Sequence, residues 1–87
     1  MAYIVQLKNC ARKELGKLPR AVQDRLIAAL RSLEENPRPP GVKKLRGREN
    51  EWRIRVGDYR IVYEIHDRIL LVIVIRIRHR SKAYRDE

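Results

Sequence analysis

Six arginines fall in three alternating segments of the C-terminal half: Arg53 and Arg55 in EWRIRV, Arg60 in YRIVYEI, and Arg76, Arg78 and Arg80 in VIRIRHR. Residues two apart in a strand share a face. Strands carrying these arginines side by side would present a set of planar guanidinium forks, each matched to a pair of phosphate oxygens. The chemistry this suits is the binding of a phosphate chain and the stabilisation of charge gathering on a phosphorus centre. Lys43, Lys44 and Arg46 extend the basic set on one side, and Arg76, His79, Arg80 and Lys82 on the other. Tyr84 lies just beyond. It is equally suited to stacking on an unpaired base and to anchoring a short C-terminal helix. Histidine is the side chain fitted to moving protons near neutrality, yet strict alternation points His79 away from Arg78 and Arg80. Taken singly, each arginine fits a solvated sheet face, with Glu51 or Glu64 as pairing partners. The whole set on neighbouring strands points to a polyanion.

The elements that must position these residues follow from periodicity. Ala2 to Leu7 alternates loosely and predicts a first strand. Asn9 is a suitable N-cap for a helix starting at Cys10, with Ala11, Leu15 and Leu18 on one face, ended by Pro19. Cys10 has no partner motif and reads as a buried helix-start residue. A stronger helix is expected from Arg20 to Glu35, where Val22, Leu26, Ala29, Leu30 and Leu33 keep helical spacing. The two should form an antiparallel hairpin. After the loop Arg38-Pro39-Pro40-Gly41 the pattern turns to strands: Val42–Leu45, Glu51–Val56, Tyr59–Ile65 and Arg68–Ile77. Gly57-Asp58 makes a tight turn with glycine first. His66-Asp67 makes another, so His66 reads as structural. The tail from Arg80 either forms a short helix or trails. The expectation is an α+β domain spanning 1–87. An N-terminal strand and an antiparallel helical hairpin precede a four-strand antiparallel meander, with helices on one face and an open basic face.

Composition narrows the classes. The chain has 87 residues, enough for one domain. It carries 21 Lys and Arg against 11 Asp and Glu, a net charge of +10. The basic residues cluster, so nucleic acid is the first partner class, an acidic protein the second and an anionic membrane surface the third. The longest apolar run, Ile69 to Ile75, suits a central strand and is far short of the roughly 20 residues of a membrane helix. MAYIVQLKNC has no signal-peptide pattern, and a single cysteine excludes an internal disulfide; both fit a cytoplasmic protein. No metal-ligand spacing is present, and no cofactor is expected.

The string KKLRGRENEWRIRVGDYRIVYEI followed by VIRIRHRSKAY resembles the RelE branch of the RelE/ParE toxin superfamily. The order of LRG, W-R-x-R, GDYRIVYEI and HR-then-tyrosine is the family's, and the likeness covers essentially the whole chain. The resemblance implies a RelE-like, microbial-RNase-like fold and the toxin of a type II toxin–antitoxin pair. Such a toxin enters the ribosomal A site and cuts mRNA by attack of a 2′-hydroxyl, without metal, leaving a 2′,3′-cyclic phosphate. By motif position, Arg53 and Arg55 match two basic residues of the strand before the turn, and Arg60 the phosphate-binding arginine. Arg78 matches the arginine helping the leaving oxygen, Tyr84 the substrate-contacting tyrosine, and Arg80 a supporting basic position. Relatives carry lysines where this chain has Arg53 and Arg55, and arginine does not act as a base. The general base therefore stays open, with His79 the side chain best suited by pKa and Glu51 and Glu64 further candidates.

Two other functions fit the same pattern: a ParE-like DNA gyrase inhibitor, and a catalytically weak module binding RNA or antitoxin. The basic set with Tyr84 favours the RNA-cutting toxin. The resemblance further implies a RelB-like antitoxin, encoded separately, and the ribosome and mRNA as partners, with no membrane. Arg12, Lys13, Lys17, Arg20 and Arg25 on the helices are contacts for ribosomal RNA under that reading, and solvated charges otherwise.

Overall fold

The structure, a computed structural model, describes residues 2–47 and 49–83, with Lys82 and Ala83 described by backbone only. Strand β1 (Ile4–Leu7) leads into helices α1 (Asn9–Gly16) and α2 (Arg20–Glu35). Strands β2 (Lys43–Lys44), β3 (Glu51–Val56), β4 (Tyr59–His66) and β5 (Leu71–His79) follow, and a short helix α3 (Arg80–Ala83) ends the described chain. The sheet order is β1-β5-β4-β3-β2. The four-strand antiparallel meander is as expected, but the sheet is mixed. β1 pairs in parallel with β5, Ile4 opposite Leu71 through Leu7 opposite Val74. The long α1–α2 crossover makes that parallel pairing possible.

Several boundaries differ from the sequence reading. Asn9 is already helical, and Lys8 occupies the cap position with no side-chain cap bond. Both helices lie on the sheet, α1 against β5 and α2 across β1 and β3, and Gln23 of α2 donates to the Gly16 and Leu18 carbonyls at the junction between them. The last strand starts at Leu71, not Arg68, because Asp67–Ile69 forms one 3₁₀ turn and Leu70 closes it in the left-handed region at φ 52°. It runs on to His79. Cys10 is exposed, and its neighbour Ala11 is the buried residue of α1. At the β3–β4 turn Gly57 holds φ 60°, the positive angle that a two-residue hairpin demands of its first residue.

The core lies between helices and sheet. Leu26, Leu30 and Leu33 of α2 and Ala11 of α1 meet Ile54, Ile61, Tyr63, Ile65, Val72, Val74 and Ile77. Tyr63 is fully buried, and its hydroxyl donates to the Pro37 carbonyl at 2.7 Å, fastening the loop after α2. On β4 the core residues alternate without a break. On β5 they do not: Val72 and Val74 are buried, then Ile77. A bulge makes the change of phase. Val62 pairs with Arg76 and Tyr63 with Val74, leaving Ile75 over.

A surface clasp joins three distant segments. The Arg38 guanidinium grips both oxygens of Asp67 at 3.1 and 2.9 Å, and the Tyr3 hydroxyl donates to Oδ1 at 2.7 Å. The bond from Arg38, then that from Tyr3, holds the Asp67 carboxyl down at about 2. A carboxylate with its pKa lowered on folding stabilises the fold above its unfolded value, and that share is lost as pH falls through the folded value. Asp67→Asn is therefore expected to melt below wild type at pH 7. In thermal melts taken from pH 7 downward, the gap should close between about pH 4 and pH 2.

Candidate active site

The register of the meander sorts the basic residues. On the face away from the helices, Arg55 of β3 opposes Arg60 of β4, and Arg60 opposes Arg78 of β5. One step along, Lys43 opposes Arg53, Arg53 opposes Val62, and Val62 opposes Arg76. Strands lie about 4.8 Å apart, so the backbone positions of Arg55, Arg60 and Arg78 span only roughly 10 Å. The bulge at Ile75 makes this possible. Without the extra residue Arg76 and Arg78 would share the face of Val72 and Val74.

The set is crowded. Arg53 and Arg60 are each only 8% exposed although they lie on the open face. Burial, then the charge of Arg55, lowers the pKa of the Arg53 guanidinium below the usual arginine value. Arginine stays protonated through such a shift, so the effect registers as unfavourable energy in the free protein rather than as a lost charge. The Arg60 Nε is buried without a hydrogen bond. Covered guanidinium groups crowded on one sheet face make that face a candidate functional site.

Not every candidate joins this row. His79 pairs with Tyr59, on the helix side of the sheet, and the two rings meet edge-on at 5.2 Å. Its Nδ1 accepts the backbone N–H of Ser81 at 3.2 Å and lies 2.9 Å from the Ser81 hydroxyl, so the ring caps α3. Arg80 begins α3 and turns to the hairpin between β3 and β4. Its N–H donates to the Asp58 carbonyl at 2.7 Å, and its Nε lies 3.9 Å from the Asp58 carboxylate. Lys44 lies over the Trp52 ring on the helix side, opposite Arg38. Arg46 is exposed in the turn after β2. Lys82 is in the backbone of α3, and Tyr84 falls outside the described residues. His66, expected in a turn, closes β4 and bonds Glu64 at 2.9 Å. Glu51 opposes Glu64 rather than an arginine in register.

The sequence reading passed over Glu14. This acid of α1, otherwise among Arg12, Lys13 and Lys17, reaches the end of the row. Its Oε2 lies 3.3 Å from Arg76 Nη1 and 3.7 Å from Arg78 Nε. The signal in sequence was an acid one residue before Leu15, at the edge of the apolar face. Among the described residues no cluster of three His, Cys, Asp or Glu could hold a metal ion. The row can bind a phosphate from three sides and stabilise charge on it.

Comparison with known proteins agrees with this geometry. The family described as "ParE toxin of type II toxin-antitoxin system, parDE" matches residues 5–84. The mRNA interferase toxin RelE of Escherichia coli K12 is 35% identical, over 97% of this chain and 92% of the relative. Toxin RelG of Mycobacterium tuberculosis is 31% identical, over 98% and 99%. Among solved structures, the archaeal RelE–RelB complex from Pyrococcus horikoshii OT3 superposes with a TM-score of 0.82 at 30% identity, over 95% of this chain and 100% of that one. The intact E. coli RelBE toxin–antitoxin complex does so at 0.77 and 33%, over 87% and 94%.

Relieving the row should stabilise the free protein. Arg55 and Arg60 are directly opposite, and like charges so placed destabilise a sheet by about 0.2–1 kcal/mol. Arg55→Gln is expected to raise the denaturation midpoint by an amount within that range, and more at low salt than at high salt. Urea melts at two ionic strengths check this.

Proposed function

From a chain that belongs to the RelE branch of the RelE/ParE toxin superfamily, we propose an mRNA interferase in which the Arg55–Arg60–Arg78 row holds the scissile phosphate. The protein is the toxin of a type II toxin–antitoxin pair and an endoribonuclease. The observation that carries the reading of the site is the register of these three arginines on one sheet face.

The reaction assigned to the site is attack of a 2′-oxygen on the adjacent phosphorus. The new O2′–P bond forms as the P–O5′ bond breaks, and the departing 5′-oxygen takes a proton from solvent, giving a 2′,3′-cyclic phosphate and a 5′-hydroxyl. Arg55 and Arg60 lie against the non-bridging oxygens, where charge accumulates, and Arg78 serves the leaving 5′-oxygen. Arg53 and Lys43 carry the neighbouring phosphate. Tyr84 stacks on a substrate base. None of the arginines takes the 2′-hydroxyl proton, which passes to solvent or to a group outside this chain. Catalysis by the row is therefore charge stabilisation and in-line alignment. The substrate is mRNA in the ribosomal A site, and the ribosome supplies the remaining orientation. His79 and Arg80 act through α3, which they fasten, and set the approach of Tyr84.

The partner of the toxin is a cognate RelB-like antitoxin. Next to the arginines the same open face carries Ile4, Leu71, Ile73 and Val62, and Ile4 is 63% exposed. Such a surface suits an antitoxin segment with apolar residues beside acids. A gyrase inhibitor is disfavoured because the named relatives are RelE-type toxins and because three arginines in register on one sheet face fit phosphate.

The test uses purified protein, programmed ribosomes and a message with a defined A-site codon, with cuts mapped by primer extension beside naked RNA. Wild type should cut within that codon. Arg60→Ala and Arg78→Ala should each lose about 10²–10³-fold in rate, the cost of removing one charge-stabilising donor. Tyr84→Ala should lose about 1–3 kcal/mol of stacking. Folded wild-type protein that binds ribosomes and leaves the message intact would refute the reading.

A further inference from the structure

Beyond Leu7, β1 gives way to α1, and among the described residues no strand lies beside the outer edge of β5 there. The Ile77 N–H points to that edge. Glu14 closes it: Oε1 accepts the Ile77 N–H at 2.8 Å. The other oxygen, Oε2, faces Arg76 Nη1 at 3.3 Å and Arg78 Nε at 3.7 Å. The Glu14 side chain is 26% exposed, half sunk between α1 and the sheet. A carboxylate fixed by a backbone amide is a rigid anchor, unlike an acid at the end of a free side chain. It also puts a negative charge at the end of the row of arginines.

On the reading that the row cuts RNA, we propose that Glu14 is a positioning residue that holds Arg78 for the leaving oxygen. Glu14 lies at ion-pair distance from Arg78, 3.7 Å from its Nε, and draws the guanidinium toward the β5 edge. Arg60 lies on the other side, in register, and repels it. Between that repulsion and the pull of Glu14, Arg78 is kept at the β5 end of the row, where the leaving 5′-oxygen departs. Arg76, held by the same oxygen, is kept from competing for the scissile phosphate. Glu14 is not itself the base. Its two oxygens are already engaged, one accepting the Ile77 amide and the other facing two guanidinium groups.

Glu14→Gln separates this role from edge closure, because the amide oxygen still accepts the Ile77 N–H while the charge is gone. The variant should melt close to wild type and bind programmed ribosomes with unchanged affinity, yet cut the A-site codon roughly 10²-fold more slowly, the scale of a misplaced catalytic group. The deciding substrate replaces the leaving 5′-oxygen by sulfur. Thiolate leaves without help from a cation, so the gap between wild type and Glu14→Gln should shrink toward nothing. Glu14→Gln combined with Arg78→Ala should be no slower than Arg78→Ala alone. A gap that stays the same with sulfur, or losses that multiply in the double variant, would overturn the role. So would Glu14→Gln cutting at the wild-type rate, while wild-type cutting itself stood. Wild type that does not cut would instead sink the nuclease reading and this role together. A measurement on unaltered protein keeps the test independent of variant folding. The Arg78 Nε–H proton should exchange with water more slowly than that of Arg12, which is exposed on α1, and equal rates would contradict the contact.

Discussion

Between Val62 and Tyr63, strand β4 is one residue short of its neighbour, and Ile75 of β5 has no partner in register. The reason is a conflict inside the β5 sequence. Val72 and Val74 must face the helices, and strict alternation would send Arg76 and Arg78 after them. Burying two guanidinium groups in an apolar core costs several kcal/mol each. A bulge forfeits about one ladder hydrogen bond, worth roughly 1 kcal/mol. The bulge therefore wins. It returns Ile77 to the core, fully packed, and delivers both arginines to the open face. Once β5 is phased this way, β4 and β3 follow by register, and Arg60 and Arg55 fall into line with Arg78.

The row so made works against the stability of the free protein. Three like charges lie in register, and two neighbouring arginines, Arg53 and Arg60, are almost wholly covered. Nothing in folding calls for such a cluster, and the fold is held by other means: the leucines of α2 on the sheet, the Tyr63 bond to Pro37, and the clasp of Arg38, Tyr3 and Asp67. The acids are placed to the same effect. Asp67 and Asp58 serve turns, and Glu64 is engaged with His66. Glu14 reaches the row from the helix side, at its end. The positive field of the row suits an anionic ligand.

Much of this was legible in the sequence. The alternation in EWRIRV and YRIVYEI set both faces of β3 and β4 correctly, and the glycine-first turn between them fixed their register. Arg53, Arg55 and Arg60 were therefore assigned to the open face by period alone. Arg76 and Arg78 joined them only on the condition that β5 turned them to that face, since the parity of β5 argues otherwise. A bulge has no local signature in ILLVIVIRIR, since every residue there suits a strand. The parallel pairing of β1 with β5 was missed because a short strand carries no mark of its neighbour. Asn9 looked like a cap, yet the helix begins one residue earlier. Lys44 and Arg80 drew notice by charge, but charge says nothing of where a side chain turns, and they serve Trp52 and Asp58. Glu14 escaped because its partners are more than sixty residues away, and only the tertiary fold brings α1 to the edge of β5.

The shared phosphate site is tested most directly by following the guanidinium Nε–H resonances of the protein as a short single-stranded RNA is added. The RNA carries a 2′-deoxy sugar at the position that would attack, so it binds without being cut. The resonances of Arg55, Arg60 and Arg78 should shift together along one saturation curve, and added salt should weaken that curve steeply, in proportion to the phosphates held. If those three stay still while Arg12, Arg20 and Arg25 on the helices respond, the phosphate lies on the other side of the molecule, and the row of arginines is not the site.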